Sequence, residues 1–199
     1  MVAQLRPAFV LFLLFSVLTG LVYPLAITGI AQLVFPAQAN GSLIEKDGKV
    51  VGSWLIGQNF TDAKYLWPRP SATTTADPAD STKTIAAPYN ASASSGSNKG
   101  PTAKDLMERI ADDVAKLKDA AGGKPIPADA VTTSGSGLDP HVSPAFAGLQ
   151  VARIAKARGV GEDRVRALIA RHTEGRALGF LGEATVNVLA VNLDLDVEK

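Results

Sequence analysis

Between Arg6 and Glu45 the chain carries no charged residue. Inside that gap residues 8–35 read AFVLFLLFSVLTGLVYPLAITGIAQLVF, a run too long for an ordinary core helix. The hydrocarbon layer of a bilayer is about 30 Å thick and takes about 20 apolar residues of α-helix to cross. In lipid every backbone N–H and C=O must find its partner within the segment, so the helix is the expected form. The run therefore predicts one membrane-spanning helix over 8–35, behind a short tail (1–7) and ahead of one soluble domain (36–199). The expected fold class is α+β, a single N-terminal transmembrane helix followed by one mixed α/β extramembrane domain.

Gly20, Pro24 and Gly29 interrupt the run, and Pro24 predicts a kink. Tyr23 lies too deep for an interfacial belt and is read, with Pro24, as facing a protein neighbour. Ser16, Thr19, Thr28 and the glycines permit close packing of a second helix. Arg6 favours the N-terminus inside and the domain outside. A cleaved leader ending at Ala37-Gln38-Ala39 is the rival reading, opposed by an apolar run about twice the usual ~7–15 residues.

Beyond the run, Leu43–Lys46 and Lys49–Val51 flank Asp47-Gly48, the pattern of a two-residue hairpin whose second strand extends through Ser53–Gly57. Tyr65-Leu66-Trp67-Pro68-Arg69-Pro70-Ser71-Ala72 predicts a rigid, extended, aromatic-flanked segment, because each proline restricts the residue before it. Residues 72–100 are rich in Ala, Ser, Thr, Asn and Pro and are expected to be loop. A helix is expected from Pro101 or Thr102, with Thr102 as cap, carrying Leu106, Ile110, Val114 and Leu117 on one face and stopping at Gly122-Gly123. Ser143-Pro144 opens a second helix, bearing Phe146, Leu149, Ile154 and Ala157 and ending at Gly159. A third runs from Glu162 to His172 over Val165, Leu168 and Ile169. Val191, Leu193, Leu195 and Val197 alternate with polar residues, so 185–197 reads as a strand with one wet face.

Several chemistries are excluded or weakened. A net charge of +1 without a basic run argues against nucleic-acid binding. No cysteine is present, which removes disulfides and thiolate chemistry. Ser134-Gly135-Ser136-Gly137 could cradle an anion, yet the P-loop signature is absent and a tight turn explains the pattern as well. Ser134 or Ser136 with His141 or His172 could be drawn as a hydrolase, but no nucleophile elbow exists. His141, His172 and Asp139 show no paired ligand spacing, and no metal site is expected.

The order of Gly20-Leu21-Val22-Tyr23-Pro24-Leu25, Leu55-Ile56-Gly57-Gln58-Asn59-Phe60, Arg69-Pro70-Ser71-Ala72, Tyr89-Asn90 and Gly96-Ser97-Asn98 is distinctive. It continues through Ser136-Gly137-Leu138-Asp139-Pro140-His141, Gln150-Val151, Val186-Asn187-Val188-Leu189 and Asn192-Leu193. Together these closely resemble KdpC, the C subunit of the bacterial high-affinity potassium-transporting P-type ATPase. Lys99 departs from the usual leucine, and Leu66 stands where an aromatic is common.

The resemblance implies a non-catalytic, single-pass inner-membrane subunit that partners a potassium-channel-like subunit and an ATP-hydrolysing subunit, besides membrane lipid. In keeping with it, the chain has neither D-K-T-G-T nor T-V-G-Y-G. It implies a part in assembly and in raising the ATP affinity of the catalytic subunit, with no cofactor of its own and ATP reached only through the complex. The alternative it carries is a cytosolic nucleotide-binding regulator, with contacts at Ser134, Gly135, Ser136, Gly137 and Gln150. Candidate partner contacts are Tyr23, Pro24, Tyr65, Trp67, Arg69, Pro70, Ser71, Asn90, Asn98 and Asp139. An outer domain near the potassium entrance is the favoured expectation.

Overall fold

The computed structural model describes residues 2–197 and divides after Ser53 into two compact units. In the first, helix α1 (Val2–Val17) passes through a π-turn (Leu18–Val22) into α2 (Tyr23–Val34). The stretch Ala3–Val34 is a helix of 32 residues, none of them buried by the chain, long and apolar enough to cross a membrane. At 1.5 Å per residue it measures about 48 Å, more than the hydrocarbon layer requires.

The expected break at Pro24 takes the form of the π-turn, where the Tyr23 N–H reaches back to the Leu18 carbonyl. Proline has no N–H and its ring crowds the carbonyl of the preceding turn. Widening the helix just before Pro24 relieves that crowding without ending the helix. Within the same turn Thr19 Oγ1 donates to the Phe15 carbonyl at 2.7 Å, satisfying an acceptor that lipid could not.

A short helix α3 (Pro36–Ala39) leads to the antiparallel hairpin β1 (Leu43–Lys46) and β2 (Lys49–Ser53). Asp47 and Gly48 both take positive φ, 53° and 73°, as a type I′ turn demands. The second strand does not run on to Gly57. It stops at Ser53, and the chain turns at Trp54-Leu55 so that the Gly57 N–H meets the Leu138 carbonyl at 2.8 Å.

The second unit holds the core. A small hairpin, β3 (Thr74–Ala76) with β4 (Thr84–Ala86), rises from the 72–100 loop. Then follow α4 (Lys104–Ala121), a 3-10 turn (Ala128–Ala130), β5 (His141–Val142), α5 (Pro144–Leu149), α6 (Val151–Arg158), α7 (Glu162–Arg171), β6 (Thr173–Glu174), β7 (Thr185–Asn187) and α8 (Val188–Val197). The antiparallel order β5-β7-β6 makes a short sheet, and α5–α8 pack around it over Val142, Phe146, Ile154, Val165, Leu168, Val186, Val191 and Leu195.

Three sequence expectations need correction. The α4 cap is Ala103, not Thr102, because a turn closed by Ala103 N–H on the Gly100 carbonyl sets Ala103 extended. On that helix Leu117 is buried and Leu106 and Ile110 half-buried, whereas Val114 is exposed. The 143–159 helix has the expected Ser143 cap, whose hydroxyl accepts the Phe146 N–H at 3.0 Å, but it breaks at Gln150, and Ala155 rather than Ala157 is buried. The C-terminal run is a strand only over Thr185–Asn187 and a helix thereafter. Asn187 Oδ1 accepts the Ala190 N–H at 3.0 Å and starts that helix. Val188, Val191, Asn192 and Leu195 then share its buried face at helical spacing.

Candidate functional site

Residues 62–70 form a strap laid over the second unit and belonging to no strand. Pro68 and Pro70 cannot donate to a ladder, so the backbone groups around them need side-chain partners. They have them. Leu66, fully buried, donates its N–H to Asn192 Oδ1 at 2.7 Å and accepts from Asn192 Nδ2 at 3.0 Å. Its neighbour Trp67 is held the same way by Gln150, N–H to Oε1 at 2.8 Å and C=O from Nε2 at 3.1 Å. Two buried amides thus grip consecutive peptides of one strap.

Arginines complete the grip. Arg153 donates to the carbonyls of Ala63 and Tyr65 and, at 2.6 Å, to Gln150 Oε1, while its guanidinium lies 3.6 Å from the Trp67 ring centroid. Burial lowers its pKa to about 10, with Asp62 opposing the shift. Arg158 donates to the Lys64 and Leu195 carbonyls and pairs with Asp196 at 2.9 Å. Tyr65 sends its hydroxyl to Asp196 Oδ2 at 2.9 Å. Burial and the Asp196 bond raise the Tyr65 pKa; for Asp196, burial is outweighed by the Arg158 and Tyr65 bonds, so its pKa is lowered.

The strap ends in a polar knot built from three separate stretches of sequence, 69–74, 87–96 and 132–141. Arg69 pairs with Asp139 at 2.8 Å, both half-buried, and reaches the Thr132 and Thr133 carbonyls. Asp139 Oδ1 also accepts the His141 N–H at 2.9 Å. The Tyr89 hydroxyl donates to the Arg69 carbonyl at 2.9 Å, and burial pushes its pKa well above the phenolic value. Ser71 Oγ donates to the Gly137 carbonyl at 2.7 Å and accepts the Tyr89 N–H. Buried Thr73 donates to the Ala87 carbonyl at 2.6 Å and accepts the Asn90 N–H. Asn90 in turn ties Thr74 to Ser92. The 72–100 loop is therefore ordered by small polar side chains in place of apolar burial.

The Gly/Ser stretch closes this knot. Ser134 Oγ accepts the Gly137 N–H at 2.8 Å and Ser136 Oγ accepts the Leu138 N–H at 3.1 Å, so donors suited to an anion are occupied within the loop. The Ser136 carbonyl takes the Ser95 N–H and the Ser94 hydroxyl. Gly137 has φ 68°, and a Cβ there would lie 2.6 Å from Thr73 Cγ2 and 2.7 Å from the Ser95 carbonyl. A Cβ on Gly96 would lie 3.0 Å from the Gly135 carbonyl. Backbones meet here at glycine distance.

Of the remaining singled-out residues, Asn98, Tyr23, Pro24 and His172 take no part in the bonds of the knot. Asn98 is exposed with φ 51°. Tyr23, exposed, and Pro24 sit at the π-turn of the first unit. His141 Nδ1 stands 3.8 Å from Asp139, and His172 Nε2 meets Asp194 at 2.8 Å, so the two imidazoles have different carboxylate partners. Among the described residues no three His, Cys, Asp or Glu side chains gather as a metal site. Sequence reasoning missed Asn192, Arg153, Arg158 and Tyr89 as the residues that hold the strap. The available signals were Tyr89, in the distinctive Tyr89-Asn90 pair, and Asn192, an amide set among Val191, Leu193 and Leu195.

The family described as K+-transporting ATPase, c chain, matches residues 5–197. A KdpC subunit of potassium-transporting ATPase from Methylorubrum extorquens is 60% identical over 195 residues, 98% of this chain and 97% of that protein. The subunit of the same description from Rhodopseudomonas palustris is 58% identical over the whole of both chains, and that from Bradyrhizobium diazoefficiens 59% identical over 98% of each. The stretches that meet at the strap and the knot lie within a match running almost end to end, and the chain belongs to the KdpC family, subunits of the K+-transporting ATPase.

Proposed function

We propose that the chain is a non-catalytic accessory subunit of an ATP-driven potassium pump. Its N-terminal helix holds it in the inner membrane, and its strap and knot offer a preshaped surface to the partner subunits. The observation that carries this reading is the internal use of the site's polar groups. Arg69, Asp139, Gln150 and the N–H groups of Gly137 and Leu138 are bonded within the chain, which suits a rigid docking surface better than an active centre. Partners are the potassium-channel-like and ATP-hydrolysing subunits, and Tyr23 and Pro24 face a neighbouring helix. Any effect on ATP affinity is then a coupling free energy passed through the complex. A direct nucleotide contact at Ser134, Gly135, Ser136, Gly137 and Gln150 would first have to break bonds that now close the loop.

With the N-terminus cytoplasmic, the domain lies outside, near the potassium entrance. A single cysteine at Lys118, an exposed position of α4 in a cysteine-free chain, tests this. Lys118→Cys should react with an impermeant thiol reagent on whole cells. Reaction only after lysis, beside an outward-facing control that reacts without it, places the domain in the cytosol and restores the nucleotide reading. Removing residues 8–35 should abolish co-purification with the pump, and undiminished assembly would contradict the anchoring role.

A further inference from the structure

Beside the strap lies a cleft of about 450 Å³ whose apolar walls include Phe60, Pro68, Pro70 and Phe146. Its charged residues on the α4 side are Arg109, Asp113 and Lys116. Asp113 serves both cations, accepting from Arg109 Nη1 at 2.8 Å and Lys116 Nζ at 3.1 Å. The trio keeps a charge of +1. Arg109 Nη2 is buried and has no acceptor among the described residues. The side chain as a whole is 32% exposed, and carboxylate is the group whose geometry best suits a guanidinium. Arg69, which also lines the cleft, is neutralised by Asp139, which leaves the excess positive charge with the Arg109 trio.

We propose that this cleft binds an acidic segment of a partner subunit. The segment is an extended stretch in which an aromatic or large aliphatic side chain lies against the proline and phenylalanine walls. A neighbouring carboxylate meets the Arg109 side chain, which is about a third exposed, and is steered by Lys116. Two features select a peptide over a free anion: an apolar wall that an inorganic anion would not use, and a positive charge confined to the Arg109 trio. The inference rests on the subunit reading above and adds the chemistry of what the surface recognises.

Trp67 lines the same cleft, and the chain has only one other tryptophan, Trp54, so the full-length Trp54→Phe protein in detergent reports on the cleft directly. Titration with N-acetyl-Phe-Glu-amide should change Trp67 fluorescence saturably. Replacing the peptide's Glu by Gln, or Arg109 by Gln, should weaken binding at least tenfold. Lys116→Gln, at an exposed position, should weaken it two- to fivefold, and it decides the matter if Arg109→Gln proves unfolded by circular dichroism. No saturable change, equal binding of the Gln peptide, or an equal response to sodium acetate overturns the proposal.

A second arm separates the cleft from the subunit reading. Arg109→Glu should leave the assembled pump at lower salt than the wild-type chain does. Equal retention of both overturns the cleft while the subunit reading stands. A wild-type chain that fails to co-purify overturns the subunit reading, and the peptide titration then decides the cleft.

Discussion

Asn192→Leu is the sharpest test of the idea that buried amides hold the strap. Leucine shares the branched heavy-atom skeleton of asparagine, so no cavity is made; the change removes the hydrogen bonds, and the extra bulk of two methyl groups only adds to the cost. Asn192 is 2% exposed and its amide supplies both partners of the Leu66 peptide, at 2.7 and 3.0 Å. Leu66 itself is 0% exposed, so water cannot take over without opening the strap. Leaving a buried backbone donor or acceptor unsatisfied costs ~1–3 kcal/mol, and two of them give about 4 kcal/mol. With a urea dependence of about 2 kcal/mol/M for a domain of this size, the midpoint should fall by roughly 2 M. The assay is urea unfolding of the full chain in detergent, read by Trp67 fluorescence in the Trp54→Phe background. A midpoint shift under about 0.5 M at unchanged slope would refute the reasoning, since it would mean the Leu66 peptide finds other partners at little cost.

Asn192→Asp supplies a signature that general destabilisation would lack. The carboxylate keeps an acceptor for the Leu66 N–H but turns a second oxygen onto the Leu66 carbonyl, so its ionised form is disfavoured in the fold. The folded pKa is raised above the unfolded one, the stability is present at low pH, and it is lost as pH rises through the folded pKa. The variant should therefore be closest to wild type under acid, the reverse of the usual trend for carboxylates.

Gly137→Ala should destabilise by about 2–4 kcal/mol, from a positive φ together with a Cβ forced against the Ser95 carbonyl; a thermal melt within a degree of wild type would contradict the close approach. Tyr89 should resist ionisation, since burial raises its pKa. Its contribution is complete below the ordinary phenolic value of 10.0 and is lost as pH rises beyond it, so Tyr89→Phe should flatten the alkaline loss of stability seen in urea titrations, and an unchanged slope would refute this.

What sequence could disclose followed from how local its cause was. The Asp47-Gly48 hairpin and the Ser143 cap were legible because turn and cap chemistry is settled within four residues. The C-terminal run was not, because two periods fit it. Val191, Leu193, Leu195 and Val197 satisfy the strand spacing, and Val188, Val191, Asn192 and Leu195 the helical one. The cap at Asn187 and the burial of Asn192 against Leu66, which lies 126 residues earlier, favour the helix. The same distance hid the site. Tyr65, Trp67 and Arg69 could be picked out as an unusual extended segment, but their side-chain partners Asp196, Gln150 and Asp139 stand 131, 83 and 70 residues away, and spacing carries no trace of such pairs.

Why an apolar clamp would not serve follows from the prolines. A segment containing Pro68 and Pro70 cannot continue a sheet ladder, and at Leu66 it is too deeply buried for water. Leucines in place of Gln150 and Asn192 would hide the same area yet leave the strap free to slide, because dispersion contacts have no register. Each amide, by contrast, accepts from one N–H and donates to the C=O of the same residue, an arrangement that a one-residue slip destroys. The strap is thereby fixed in register, and Trp67 and Arg69 are carried to set positions at the edge of the cleft. On the proposed reading, surface precision of this kind serves docking, and it accounts for buried polar groups being placed on a stretch outside any strand or helix.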